Sequence, residues 1–457
     1  MMPLQNKLLT SELSAPSGKA VRDFTPLLAQ ILVVLFIIGF QTRVSLYSGN
    51  TVILPMYISV LSGLSMLFLC RKKIGSRTLK AMGAIFALLI AELFINMAMG
   101  GDVLNLTKGV VQLSISIAAS IGFALTLHLI PKDKAQRLFF TFWCMFIVLG
   151  AIELIPAVRS IYQFITDLIY AGTPRGIYAS INRDIEIYGH YRPKVFSSEP
   201  SFLAATLSVL SILTLFTASK DKRSRPYLEY CIMAAVSFAL VPSVSDFFYI
   251  AAASICYFWP QKALTRITVS LAISTLAIAI PIAQLNMPAN LFEQHQKSGS
   301  FFGRITAGPI AGAQALVRRP IAGYGVGDSE ATYPLMADVW ANNGGYTRFP
   351  WYMGLRASDL MSNGFWWQWI FMGAIGGALF TGLIGLLLRS INVKNVVPII
   401  LGTWIIWYAG AAFVDIVSWS VFGILAFPSI NSLTKRNPTG RRRRRYEFSP
   451  QSSRRVE

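Results

Sequence analysis

Long apolar runs separated by short polar segments dominate the chain. Runs of about twenty residues lie near 26–46, 51–70, 79–99, 107–130, 138–158 and 199–219, with two more at 267–285 and 363–388. They are continuous rather than alternating, which predicts bilayer-spanning helices in preference to a barrel. Two tight pairs of shorter runs, 228–243 with 245–259 and 396–413 with 416–430, bring the expected crossings to twelve. Their arms are shorter than the ~20 residues of a full crossing. Pro242-Ser243-Val244-Ser245-Asp246 breaks the first pair, and Val414-Asp415 lies near the turn of the second. Such arms are expected to stop at a polar cavity, where irregular backbone is tolerated inside a membrane. The alternative, one long tilted helix per pair, disturbs the charge pattern.

That pattern sets the sidedness. Of 41 lysines and arginines, 28 fall in segments 1–25, 71–80, 131–137, 220–225, 260–266, 389–395 and 431–457. Basic short loops mark the cytoplasmic face, so both termini are expected there. Composition agrees with a membrane protein: 54% of the 457 residues are hydrophobic, 14% are charged, and mean hydropathy is +0.53. The net charge of +20, including the run Arg441 to Arg445, then reflects attraction to anionic lipid headgroups, not nucleic acid. The four cysteines lie within or at the ends of spans and imply neither a metal site nor a disulfide framework. Residues 1–25 are polar, and no cleavable signal peptide is evident.

The expected organisation is a cytoplasmic tail (1–25), a membrane domain (26–430) and a basic cytoplasmic tail (431–457), with outer loops at 159–198 and 286–362. The second loop is too long for a simple connector. Within it Gly303 to Arg319 reads as a helix ended by Pro320, and Gly323-Tyr324-Gly325-Val326-Gly327 as a flexible loop. Trp340, Tyr346, Trp351 and Tyr352 suit stacking on sugar rings or anchoring at the headgroup level.

Thirteen basic residues remain for the outer side, and ten are arginine, including Arg43, Arg159, Arg192, Arg304, Arg318, Arg319, Arg348 and Arg356. Arginine suits bidentate grip on phosphate oxygens, so the excess suggests an anionic ligand such as a lipid phosphate or diphosphate, while some of these residues simply snorkel. The stretch His190 to Phe202, HYRPKVFSSEPSF, joins this charge to a span. Ser198 or Glu199 would cap a helix whose first turn takes Pro200, placing a carboxylate at its positive end with Arg192 and Lys194 just upstream. Glu92, Glu153, Asp246 and Asp415 lie in apolar surroundings, either as functional groups or as partners of outer arginines. Three histidines form no metal motif and no Walker A sequence exists, so an enzyme here is expected to need no metal or cofactor. It would stabilise the leaving group of an activated substrate electrostatically.

Two separated motifs carry a resemblance. Ser197-Ser198-Glu199-Pro200-Ser201-Phe202-Leu203 opens a span after a basic outer loop. Gly303-Arg304 precedes a helix and then Arg319-Pro320-Ile321-Ala322-Gly323-Tyr324-Gly325-Val326-Gly327, followed by a span containing Gly373-Ala374-Ile375-Gly376-Gly377. From about 100 to 430 the chain resembles the O-antigen ligase/polymerase superfamily, which includes the Wzy-type polysaccharide polymerases. The resemblance implies an all-α, GT-C-like, polytopic inner-membrane fold with a large helical periplasmic loop. It implies glycan transfer from undecaprenyl diphosphate at the periplasmic face, without metal. Partners would be the lipid-linked oligosaccharide, membrane lipids and a chain-length regulator. Arg192, Arg304 and Glu199 become candidates for catalysis; Lys194, Arg318, Arg319 and Tyr324 become candidates for substrate binding. Ligases of that superfamily usually carry His-Asn before the span after the large loop, where this chain has Ser362-Asn363. The departure favours a polymerase over a ligase to lipid A; a lipid-linked-oligosaccharide flippase is the rival from another class.

Overall fold

The computed structural model describes residues 18–48, 51–171, 173, 184–185, 188–218, 224–260, 262, 265, 299, 302–410 and 412–430. Expectations for 1–17, 267–285, Arg175, Arg183, Lys297 and 431–457 lie outside the described residues, while 18–25, expected in the N-terminal tail, open a helix. The described chain is a helical membrane protein. Six helices are long and apolar enough to cross a bilayer: α1 (Gly18–Thr42, apolar from Thr25), α3 (Ser76–Ala98), α4 (Val103–Thr126, prolonged by a short turn to Leu129), α5 (Lys132–Glu153), α7 (Pro200–Thr217) and α12 (Gly364–Ser390). Shorter helices α2 (Tyr57–Leu69), α8 (Ser224–Leu240), α9 (Ser245–Tyr257), α13 (Val396–Ala409) and α14 (Ile416–Ala426) occupy the other expected segments. The segments expected as outer loops hold α6 (Pro156–Ile169), α10 (Ala307–Arg318) and α11 (Tyr333–Asn342).

Three local features depart from expectation. A small antiparallel hairpin, Leu46–Ser48 with Thr51–Leu54, interrupts the all-α pattern and takes the first residues of the expected second span. The outer region after α5 begins with α6, an amphipathic helix with Tyr162 and Thr166 buried and Ile161, Phe164 and Leu168 exposed. The third lies in α12.

The core is built around α7, in which every residue but Ser201 is buried. Its hydroxyls are kept out of trouble locally: Thr206, Ser211, Thr214 and Thr217 each donate to the carbonyl four residues earlier, so buried polar atoms need no water. Helices α2 and α4 cross on small residues, where a side chain on Gly122 would strike the Gly63 carbonyl. Lipid supplies no hydrophobic drive between helices, so this close backbone approach is what holds them.

Helix α12 is broken at Gly373 (φ 68°, ψ −176°), and the loop 320–325 is threaded into the break. Tyr324 N and Gly325 N donate to the freed carbonyls of Ile370 and Phe371 at 2.9 and 2.8 Å. The carbonyl of Pro320 accepts from Ala374 N and Ile375 N, and that of Ile321 accepts from Gly376 N, at 2.7–3.1 Å. Both half-helix ends thereby recover partners that a break in apolar surroundings forfeits. The Gly323–Gly327 segment is thus pinned rather than flexible, and Gly323, Gly325 and Gly327 all sit at positive φ. A Cβ on Gly373 would lie 2.8–2.9 Å from backbone atoms of Gly323, Pro320 and Arg319, whereas one on Gly382 meets nothing within 4 Å. Gly373→Ala is expected to lower stability by about 2 kcal/mol or more, combining left-handed strain with displaced backbone. Gly382→Ala is expected to be neutral or slightly stabilising. Thermal unfolding of the two purified variants checks this; equal midpoints would contradict the threaded break.

Candidate functional site

The stretch 190–199 is a turn fastened from several sides. Glu153, at the end of α5, is 2% exposed and accepts from Tyr191 Oη (2.8 Å), Lys194 N (2.9 Å) and Val195 N (2.7 Å). Gln41, at the end of α1, donates to the carbonyls of Lys194 and Val195, each at 3.1 Å. Ser197 Oγ lies within hydrogen-bond distance of the carbonyls of Lys194 and Glu199. These bonds hold Val195 (φ 44°) and Phe196 (φ 62°) in consecutive left-handed conformations. For a β-branched residue that is costly and persists only where the surroundings over-determine it.

The expectation that buried acids pair with outer arginines fails at three of the four positions, Glu92, Glu153 and Asp246, among the described residues. Glu153 binds backbone amides and a tyrosine, and Asp246 accepts from Ser208 Oγ at 2.8 Å. The partner of Arg192 is Asp184: its Nε and Nη2 both reach Asp184 Oδ1 at 2.9 Å. Nη1 of Arg192 donates to the Pro242 carbonyl at 3.3 Å, and the guanidinium lies over the Tyr188 ring at 4.3 Å. The turn between α8 and α9 therefore borders the cluster.

Lys194 is 3% exposed, with Nζ donating to Gln163 of α6 at 2.9 Å. Burial pushes its ammonium below the usual lysine range, while Glu153, Asp167 and Asp184 pull it back. That is the environment of a scaffold cation rather than of one free to meet a large anion. Burial likewise raises the Tyr191 phenol, and Glu153 adds to the effect.

Glu199 takes the N-cap position of α7, with Pro200 at the first helical position, but its carboxylate caps nothing. It accepts from Ser201 Oγ at 3.0 Å and stays partly exposed. The N-cap expectation holds in backbone position and fails in hydrogen bonding: proline occupies N1, and the side chain turns elsewhere.

Arg304 faces this end of α7 from the segment 302–360. It sits in a π-helical turn, Phe302–Thr306, that starts the helix expected from Gly303. Asn363 fixes that turn, donating from Nδ2 to the Arg304 carbonyl (2.8 Å) while its Oδ1 caps α12 at Trp366 N (3.1 Å). The guanidinium packs against Gly410 in the α13–α14 turn, where a Cβ would come within 3.2 Å of Nε. Burial pushes the Arg304 guanidinium down; Glu199 is the strongest influence pulling it back, followed by Tyr352 and Tyr188, with Arg192 opposing. Arg304 Nε is buried without a hydrogen-bond partner, and among the described residues Arg304 makes no ion pair. Arg192, Glu199 and Arg304 thus share one electrostatic neighbourhood, built from the ends of α7 and α12, the α8–α9 and α13–α14 turns, and the segment 302–360. Asp184 balances Arg192 and Glu199 faces Arg304, so a polyanion bound here would share the two guanidiniums with these carboxylates.

The other expected contacts lie elsewhere. Arg318 is exposed, 3.9 Å from Asp338, and Arg319 stacks over the Tyr324 ring at 4.5 Å. Tyr324 itself is buried in the threaded loop. Trp340 is 0% exposed, stacked on Tyr352 at 4.6 Å and bonded to the Leu360 carbonyl at 3.0 Å, so it forms the core of the segment 302–360 and is closed to a sugar. Trp351 remains exposed. Asp184, Asn363 and Gly410 escaped the sequence-based candidates as contributors to the site; only Asn363, an N-cap residue just before an apolar run, carried a readable signal.

No protein-family model matches the chain, and no curated protein matches it.

Proposed function

We propose that the chain is a membrane glycosyltransferase of the bacterial inner membrane that polymerises lipid-linked oligosaccharide repeat units. The observation that supports this most directly is the convergence of Arg192, Arg304 and Glu199 at one end of the buried helix α7. In this reading the growing glycan is carried on undecaprenyl diphosphate, whose oxygens meet the two guanidiniums. A hydroxyl of the incoming repeat unit attacks the anomeric carbon and its proton passes to Glu199. The bond from that carbon to the diphosphate oxygen breaks, and the departing electron pair is stabilised by Arg192 and Arg304. Lys194 acts through the turn it helps to hold, Arg318 is exposed to substrate, and Arg319 and Tyr324 belong to the threaded loop. Twelve crossings, cytoplasmic termini and periplasmic loops at 159–198 and 286–362 belong to the same reading, which puts the arginine cluster at the periplasmic face.

A flippase would need cations along a path through the bilayer, whereas α7 is sealed on all sides and the arginines gather at its end. Purified protein in lipid vesicles, supplied with undecaprenyl-diphosphate-linked repeat units alone, is expected to yield a ladder of lengthening glycans. Loss of single repeats with no ladder unless lipid A-core is added would replace the polymerase by a ligase. Movement of the lipid-linked unit across the bilayer without any new glycosidic bond would replace both by a transporter.

A further inference from the structure

A buried carboxylate lies apart from the arginine cluster, beside the break in α12. Glu92 and Asn96 belong to the inward stripe of α3, one turn apart, and are 3% and 1% exposed. An ideal Cβ on Gly376, the third residue of the second half-helix, would sit 2.0 Å from Glu92 Oε1 and 3.3 Å from the Ile321 carbonyl. Glycine at 376 is what gives the carboxylate its room. Asn96 Nδ2 donates to the carbonyls of Glu92 (3.0 Å) and Ala322 (3.1 Å), which fixes the orientation of its amide. Glu92 Oε2 and Asn96 Oδ1 are both buried acceptors with no hydrogen-bond partner. Two orphaned oxygens on one helix face, against backbone that has left its helix, form a site short of one positive charge.

Among the described residues, no neighbouring side chain pairs with that carboxylate. The elements against this part of α3 are α12, α4 and the threaded loop. Charged groups on these elements include Asp102 and Lys108 around the start of α4, Arg389 in the last turn of α12, and Arg319 and Asp328 in the loop. Arg319 lies over Tyr324, Asp328 accepts from Asp102 N and Ala331 N, and Asp102 caps α4 at Asn105 N. Glu92 makes no ion pair among the described residues. An isolated ionised carboxylate in an apolar interior is too costly to persist, so a bound cation must offset it.

We propose that Glu92 and Asn96 form an intramembrane site for a monovalent cation, a proton or sodium ion, which locks the threaded loop into the broken helix. The carboxylate and the amide oxygen supply the ligating atoms, and the carbonyls of Ile321 and Ala322 border them. Irregular backbone at a discontinuous helix is a setting in which small cations are held in membranes. The site is independent of the glycan chemistry proposed above, and its occupancy would set the stability of the link between α12 and the segment 302–360.

The test uses full-length protein in detergent micelles. Its thermal midpoint is followed as sodium chloride replaces choline chloride at constant ionic strength, and as pH falls from about 8 to about 5, a span that crosses the range of perturbed carboxyls. If sodium is the ligand, the midpoint rises with sodium by about 1–3 °C per tenfold once the site fills. If the proton is the ligand, sodium has no effect, and wild-type protein shows a protonated-carboxyl C=O stretch in infrared difference spectra near neutral pH. Glu92→Gln, neutral and of similar size, is expected to remove whichever response the wild type shows. Asn96→Ala is expected to move the same titration to tenfold higher ligand concentration, and it carries the test if Glu92→Gln does not accumulate. Wild-type protein without either response, Glu92→Gln retaining it, or an unmoved Asn96→Ala titration overturns the proposal.

Discussion

Replacing Arg304 by alanine is expected to abolish long-chain glycan in cells while leaving the protein folded in the membrane. The guanidinium is mostly removed from water, its Nε has no partner, and its strongest anionic neighbour is Glu199, which bonds Ser201 instead. A charge held this way costs stability until its ligand arrives. Arg304→Ala should therefore match or exceed the wild-type thermal midpoint while glycan transfer falls by about 100-fold or more, the usual effect of removing a donor aimed at developing negative charge. Arg304→Lys should not restore activity, because a lysine presents a point charge where a planar fork is needed, and the fork is already registered against Gly410 and the Asn363-bound turn. Glycan length on a gel, beside the midpoint of the same purified variant, reads both halves. Normal long-chain polymer in Arg304→Ala would sink the enzymatic assignment; a large loss of stability would make Arg304 a structural residue instead.

The second large effect concerns Glu153, which touches no proposed substrate. Its carboxylate accepts from three donors and holds two consecutive left-handed residues in place. Glutamine keeps the shape but turns one acceptor into an NH2 that faces donors. Leaving a buried donor unpaired costs roughly 1–3 kcal/mol, and the strain at Val195 and Phe196, about 1–3 kcal/mol each, then loses its restraint. Glu153→Gln is expected to lower the midpoint strongly and to cut activity, because Arg192 and Glu199 are set by this turn. Glu199→Gln should cut activity alone. Thermal unfolding of the two variants side by side separates the roles, and a Glu153→Gln midpoint equal to wild type would refute the anchoring role.

The apolar runs at 26–46, 79–99, 107–130, 138–158, 199–219 and 363–388 were enough to locate the six long helices among the described residues, because hydrophobic length is what the bilayer selects. The nearness of Arg192 and Glu199 was also readable, since only six residues lie between them and a proline-opened helix follows directly. Other features could not be read locally. The glycines of Gly373-Ala374-Ile375-Gly376-Gly377 advertise close packing, but a break filled from fifty residues upstream is a tertiary fact. Lys194 looked like Arg192 in sequence, and only the proximity of Glu153 and Gln163 shows that one cation is scaffold while the other borders the site. Trp340 suits sugar stacking or headgroup anchoring by composition, and its burial in a core is neither, because exposure leaves no trace in composition.

The threaded loop has a consequence for how the segment 302–360 can be exchanged. Backbone atoms of Pro320 to Gly325 complete the hydrogen bonding of α12, and Gly109 and Gly327 meet so closely that a side chain on either would strike the other strand of chain. That segment is therefore no cassette clipped onto a finished membrane bundle. A chimera that transplants residues 302–360 while leaving α12 behind cuts through a shared secondary structure; a working boundary falls after Ser390 and carries the compatible glycines of α4 with it.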